Sequence, residues 1–347
     1  MTGNDETSPD AVATQQDDLA IHREAAPRGA LRAAFWLSWL IGIGMLIGVI
    51  GVALHWSEER ALWRLAERAR PWWMALAIAL QVCTYLAQGE IWRLVARTRG
   101  VTVPMAAAFK LSLAKLFIDQ ALPSAGISGT LVAARALEQR GVARGIVRAS
   151  MVIDGVAYYS AYVLALVAAL LFTLGDGRAK LLFLPAALLL AAFSVALAVA
   201  AGALAGRGSA LPARFRRVPL LGKTVALLAE ADPVLVRSIP LAMKSVALQL
   251  AVVLLDTGTL WTLVRALGET ASMPAVFASF MASSLLRTIS IVPGGLGVFE
   301  AASVLTLQQA GTSVPVALGA TLLFRGLSFW FPMAPGLWFV RGIRRAA

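Results

Sequence analysis

One cysteine, Cys83, and two histidines, His22 and His55, are all that 347 residues contain of the usual metal ligands with thiolate or imidazole donors. A lone cysteine excludes an intramolecular disulfide, and two distant histidines exclude a zinc cluster and a Ser-His-Asp relay. No cofactor is therefore expected. Charge is scarce too, at 14% of residues, while 59% are hydrophobic and the mean hydropathy is +0.75. A soluble chain of this length does not spare that much polar surface, so the composition defines an all-α polytopic membrane protein.

The charge that is present is one-sided, with 31 Lys and Arg against 19 Asp and Glu and a formal net charge of +12. The arginines lie between apolar spans, with no soluble basic domain to carry them to nucleic acid. Anionic lipid headgroups and retention of basic loops in the cytoplasm explain them better.

Residues 1–32 are polar, without an apolar run, and read as a disordered cytoplasmic tail; residues 33–347 read as a single transmembrane domain. Uncharged or nearly uncharged spans are expected at Ala33–Leu54, Pro71 to about Trp92, Ser150–Leu174, Leu181–Leu204, Ser245–Val264 and Val314–Val340, each long enough for a bilayer core of about 30 Å. Trp56 to Arg70 mixes Trp56, Trp63 and leucines with acids and arginines, as a helix in the membrane interface does. Arg207, Arg214, Arg216, Arg217 and Lys223 form the most cytoplasmic-looking loop.

Two segments break the apolar pattern. Arg287 to Gly311 puts an arginine, the Pro293-Gly294-Gly295 break and Glu300 inside apolar sequence. A helix from Phe280 should end there and another begin near Gly297, with Glu300 in its first turn, where the helix dipole favours a carboxylate. Val103 to Gly141 is the first half's counterpart, with Lys115, Asp119, Pro123 and Gly126. Irregular backbone at membrane depth is tolerated only under protein or beside a polar cavity, so each break marks a candidate site. The alternative is an interfacial loop with a capping glutamate.

The spacing of the two segments repeats. Pro293 lies 170 residues after Pro123, Pro274 lies 170 after Pro104, Trp261 lies 169 after Trp92, and Arg325-Gly326 lies 171 after Asp154-Gly155. Two copies are expected, at about 71–174 and 240–341. If each broken segment enters and leaves on one side, an odd number of crossings separates the copies and inverts the second. The arginines fit this count. The tail, Arg93 to Lys110, Arg135 to Arg148, the Arg214 loop and the C-terminus fall inside, and the links around Glu58, Asp176 and Glu269 fall outside. The expected architecture is about six transmembrane helices plus two re-entrant helical hairpins in two inverted repeats, the layout of a translocator.

Arg287, Pro293-Gly294-Gly295-Leu296-Gly297-Val298-Phe299-Glu300, Leu307, Gly311 and Arg325-Gly326 together resemble the signature of the lysylphosphatidylglycerol synthase transmembrane-region family. The resemblance covers roughly Pro71 to Gly342. It implies a stand-alone inner-membrane protein that handles a polar-headed lipid, with a lipid-modifying enzyme as a possible partner. The first copy departs from the pattern, since Thr130 and Leu131 stand where members often carry an acidic residue and an arginine.

Ionisable groups inside spans cost about 2.5–3.5 kcal/mol each on insertion scales, so Asp154, Asp256 and Arg325 are candidates for function. Asp154 and Arg325 hold equivalent places in the copies and either pair with each other or bind a headgroup. Lys115 and Arg287 each precede a break and suit a lipid phosphate, or else snorkel to the interface. Asp119 and Glu300 either meet an amine on the substrate or pair with Lys115 and Arg287. With Gly294 and Gly295 at the break, these residues form the expected substrate site. The aromatic pairs Tyr158-Tyr159 and Phe329-Trp330 read as packing or belt residues. The function expected is a flippase for a phospholipid, an aminoacylated lipid or a polyprenyl- or hopanoid-linked lipid in the bacterial inner membrane, both termini cytoplasmic. The competing function is a membrane-embedded lipid-modifying transferase or a subunit of one.

Overall fold

The computed structural model describes residues 36–37, 39–48, 51, 69–121, 127–173, 177–207, 225–290 and 292–345. The expected tail, the interfacial stretch up to Arg68, the Pro123–Gly126 break, the Arg214 loop and parts of the first span lie outside them. Of that span, Trp39–Gly48 is an apolar helix, α1.

The remaining helices are α2 (Pro71–Arg97), α3 (Met105–Ala121), α4 (Ile127–Glu138), α5 (Arg144–Phe172), α6 (Gly177–Leu204), a single turn α7 (Pro233–Val236), α8 (Ile239–Ala266), α9 (Met273–Ile289), α10 (Val298–Gln309), α11 (Val314–Arg325) and α12 (Phe331–Arg345). The described residues contain no strand. Among the described residues, five helices are long and apolar enough to cross a bilayer: α2, α5, the Phe183–Leu204 part of α6, α8, and α11 continuing into α12 as far as Arg341. This is an all-α polytopic membrane protein.

Local chemistry sets the ends. Pro71, at the start of α2, has the φ a first helical turn needs and no N–H to leave unpaired. At α9, the Ser272 hydroxyl accepts the Ala275 N–H at 3.4 Å and Pro274 occupies the first turn. The α9 helix stops at extended Ser290, and Pro293–Gly295 makes a 3₁₀ turn before α10. Gly294, Gly295 and Gly297 have φ of 59°, 61° and 78°, a left-handed path that a side chain resists. The break reads in structure as it does in sequence, with Glu300 in the first turn of α10.

Helix lengths recur in order. Helices α2, α3, α4 and α5 have 27, 17, 12 and 29 residues, while α8, α9, α10 and the α11–α12 span have 28, 17, 12 and 28. Twelve residues at about 1.5 Å each are too short for a core of about 30 Å. Packing is reciprocal: α3 lies on α12, and α9 lies on α5. The first helices of the two sets, α2 and α8, run antiparallel. The Arg70 N–H donates to the Ala266 carbonyl at 2.9 Å, Gln81 reaches Asp256 at 3.2 Å, and Gln249 reaches Gln88 at 3.5 Å.

The span ends differ from expectation in a consistent way. Helix α5 begins at Arg144 and α8 at Ile239, several residues before their apolar stretches, because helices continue past the bilayer into polar surroundings. The last span is not uniform. A π-turn at Gly326–Trp330 divides α11 from α12, immediately after Arg325.

The largest apolar cluster joins α5, α8, α9, α10 and α11 around Leu260, Leu263, Met281, Phe299, Leu307 and Phe324. Helix α6 packs chiefly on α5 and leaves Leu188, Leu189, Val195 and Val199 outward, a lipid-facing surface. Helix α1 touches the ends of both broken segments. Trp39 Nε1 donates to the Ala121 carbonyl at 3.4 Å, and Gly42 sits so close to Val292 that a Cβ would approach Val292 Cγ1 to 2.4 Å.

Candidate functional site

At the tip of the second broken segment, Arg325 Nε donates to Glu300 Oε1 at 2.7 Å, with side-chain exposures of 4% and 1%. Arg325 Nη2 donates to the Gly294 carbonyl at 3.0 Å. The guanidinium also lies over two rings, 4.3 Å from the Phe329 centroid and 5.3 Å from that of Phe299. Two desolvated charges, a backbone carbonyl and two π faces thus fix the Gly-Gly turn to the π-turn of the last span.

This pairing corrects two expectations. Arg325 does not meet Asp154, and Glu300 does not meet Arg287. The turn of the chain at Gly294–Gly297 points Glu300 toward α11, where it meets Arg325. Arg287 is instead held by its stem, which lies so close to Gly295 that a Cβ there would fall 2.3 Å from Arg287 Cγ.

Asp154 belongs to a different group. With Tyr158 and Tyr162 it lies at four-residue spacing along one face of α5, a stripe of about 12 Å. At one end, Asp154 Oδ1 accepts the Gln249 amide at 2.7 Å and the Gln88 amide at 3.3 Å. Beside them, Lys115 Nζ donates to Asp119 Oδ2 at 3.1 Å, the pair expected from the sequence, and Asp154 lies within electrostatic reach of both. Asp119 Oδ1 also accepts the Gly129 N–H at 2.9 Å, tying α4 to α3.

At the other end of the stripe, Gln81 donates to Asp256 Oδ1 at 3.2 Å. Arg287 shares this end with Tyr158, Tyr162 and Asp256 as its electrostatic neighbours. Among the described residues no carboxylate comes within ion-pair distance of Arg287. The result is a polar track between α2, α5 and α8, with a cation of one broken segment at each end. Lys115, Asp119, Asp256 and Arg287 are partly buried.

The structure therefore brings Lys115, Asp119, Asp154 and Arg287 to the track and assigns Gly294, Gly295, Glu300 and Arg325 to the tip that shapes it. Tyr158 lines the track and is not a belt residue, whereas Tyr159 packs edge-on against Phe193. Sequence reasoning missed Gln81, Thr84, Gln88, Gln249 and Tyr162. Gln81, Thr84 and Gln88, at i, i+3 and i+7 of an apolar span, carried the signal, since amides on one face of a lipid-embedded helix need partners.

Helical spans and two short broken segments around buried polar side chains define a polytopic membrane protein. The sequence model of the lysylphosphatidylglycerol synthase TM region matches residues 33–336, and the chain belongs to that family. Among curated proteins, it is 36% identical over 80 residues to an uncharacterized protein of Synechocystis sp., covering 23% of this chain and 24% of that one. It is 29% identical over 84 residues to a UPF0104 membrane protein of Methanothermobacter thermautotrophicus, covering 24% of this chain and 25% of the relative. The matches span about a quarter of each relative's length.

Proposed function

We infer that this protein is a lipid translocase, which carries the headgroup of a polar lipid along the track while the acyl or prenyl chains stay in the bilayer. The track itself carries the reading. It has Lys115 near Asp154 and Arg287 near Tyr158 and Tyr162, with the amide, carboxylate and phenol groups of a stripe about 12 Å long on α5 between, inside a membrane protein.

The recurring helix lengths, the reciprocal packing and the antiparallel α2–α8 pair support two inverted copies, with α3–α4 and α9–α10 as re-entrant hairpins from opposite faces. Each hairpin then offers its cation to one leaflet. Rocking of one copy against the other would open the ends in turn. The arginine distribution supports the bacterial inner membrane with both termini in the cytoplasm. The substrate is a phospholipid, an aminoacylated lipid or a polyprenyl- or hopanoid-linked lipid, and the protein acts alone or beside the enzyme that makes it.

Dithionite quenching of headgroup-varied fluorescent lipids, in proteoliposomes of the purified protein, tests the reading. Translocase activity exposes inner-leaflet probes to the quencher, in amounts that follow headgroup chemistry. Quenching identical to that of protein-free vesicles for every headgroup would reject it.

A further inference from the structure

Arg265 stands in the last turn of α8 and has neither of the uses that such a residue commonly finds. The first is the end of its own helix, whose orphan carbonyls a basic side chain can cap. Here the carbonyls of Leu263, Val264, Arg265 and Ala266 accept the N–H groups of Leu267, Glu269, Gly268 and Arg70 at 3.1, 3.3, 3.1 and 2.9 Å, which leaves none for the guanidinium. The second is a carboxylate one turn further on. Glu269 fills that place but is committed elsewhere: its two oxygens accept the Ser313 N–H, at 3.0 Å, and the Ser313 hydroxyl, just before α11.

What the guanidinium does have is a ring. It lies 5.0 Å from the Trp261 centroid, and among the described residues it makes no hydrogen bond and no ion pair; its Nε is buried without a partner. Trp261 is itself fixed, with its Nε1 donating to the Ala271 carbonyl at 3.0 Å and Trp73 of α2 packed edge-on at 5.7 Å. Trp73 in turn lies 6.0 Å from Trp72, which is 65% exposed. Tryptophans at the ends of spans mark the headgroup level of a bilayer. Arg70 is exposed, has no ion pair among the described residues, and starts from the backbone that meets Ala266. The abutting ends of α2 and α8 thus set two uncompensated cations in a tryptophan belt, one of them seated on a ring and short of an acceptor. A guanidinium stacked on an aromatic face keeps its edge free for an anion, and the anion at hand at headgroup level is a lipid phosphate.

We propose that this end of the α2–α8 pair is a docking site for an anionic phospholipid, separate from the track. The phosphate sits on the terminal nitrogens of Arg265, Arg70 supplies the second positive charge, and the acyl chains run beside Trp72 and Trp73. A zwitterionic lipid brings its own cation toward two arginines and binds less well, which sets the preference. Arg265 lies nine residues beyond Asp256, about two and a half helical turns, and so on the opposite side of α8 from the track. The bound lipid joins the first helices of the two sets. The site does not depend on the translocase reading.

The test uses the full-length protein in phosphatidylcholine vesicles with a minor share of phosphatidylglycerol. A photoreactive residue replaces Trp72, and for reference another replaces Leu189, on the lipid-facing side of α6. Mass spectrometry of the adducts gives the phosphatidylglycerol share at each position. The share at position 72 should exceed that at position 189 several-fold, and millimolar inorganic phosphate should not lower it, because the lipid is held by its chains as well. Arg265→Gln should bring the two positions level. Arg265→Lys keeps the charge and loses the fork, so the excess should shrink. If Arg265→Gln does not fold, Arg265→Lys decides: a reduced excess upholds the site, and an unchanged one ends it. Equal shares at the two positions in the wild type overturn the proposal, as does an excess that survives Arg265→Gln. An excess abolished by phosphate makes this a site for a free anion and overturns the lipid assignment. Every outcome is read without transport and leaves the translocase reading where it stands.

Discussion

Arg325 and Glu300 form a buried ion pair at 2.7 Å across the tip of the second hairpin, with the Gly294 carbonyl as Arg325's second acceptor. The pair holds the tip in shape, and the second cation near that tip, Arg287, has Tyr158, Tyr162 and Asp256 as its electrostatic neighbours. Breaking a buried pair by removing one partner leaves an uncompensated charge and costs about 3–5 kcal/mol. Glu300→Gln and Arg325→Gln should each lower the melting temperature in detergent markedly, and the double variant should be more stable than the worse single. Single variants as stable as wild type would show that the pair does not hold the tip.

Gly295 positions Arg287. In Gly295→Ala the new Cβ would lie 2.3 Å from Arg287 Cγ, at a φ of 61° that costs an alanine about 1–2 kcal/mol. Lipid movement should fall more than thermal stability does. Gly44→Ala, which meets nothing within 4 Å, should leave both unchanged. Equal, full activity in the two variants would detach Arg287 from the break.

Outside the spans, Asp232 caps α7. Its carboxyl is partly desolvated, which acts upward, but the Arg99 guanidinium at 2.6 Å and the Val234 and Leu235 N–H groups outweigh that and hold its pKa below the usual carboxylate value. A lowered folded-state pKa contributes stability above the unfolded value of about 3.9, and this is lost as pH falls through the folded value. Asp232→Asn keeps a capping oxygen and removes the charge. Its melting deficit relative to wild type should be present at neutral pH and shrink in acid. A deficit constant across pH would mean that the charge contributes nothing.

Much of this architecture is legible in the sequence. The spans follow from uninterrupted apolar runs, and Pro293-Gly294-Gly295 locates the second break because proline and glycine act locally. Pairing is less legible. Equivalent positions placed Asp154 opposite Arg325, yet a partner is chosen by where a turn points a side chain: the left-handed glycines send Glu300 to Arg325, and helix register sends Asp154 to Gln88 and Gln249. The π-turn after Arg325 had no local signature beyond Gly326. Glutamines escaped notice because they carry no charge, although each buried amide needs a partner as firmly as an ion does.

Sidedness separates re-entrant hairpins from full crossings. Cysteines at Thr102 and Arg140, the exposed ends of α3–α4, should label from one side of the membrane in a background lacking Cys83. Cysteines at Thr270 and Gln309, the exposed ends of α9–α10, should label from the other. Labelling of Thr102 and Arg140 positions from opposite sides would make the first hairpin a pair of crossings and cancel the inversion.

The central claim is that a lipid headgroup enters the track between Lys115 and Arg287. Photocrosslinking tests it most directly, with a photoreactive residue in place of Gln88, inside the track, and another in place of Leu189, on the lipid-facing side of α6. Mass spectrometry of the adducts in native membranes reads which part of the lipid is captured. Headgroup adducts from position 88 and acyl-chain adducts from position 189 are the predicted result; position 88 yielding no lipid, or acyl chains alone, would contradict the account.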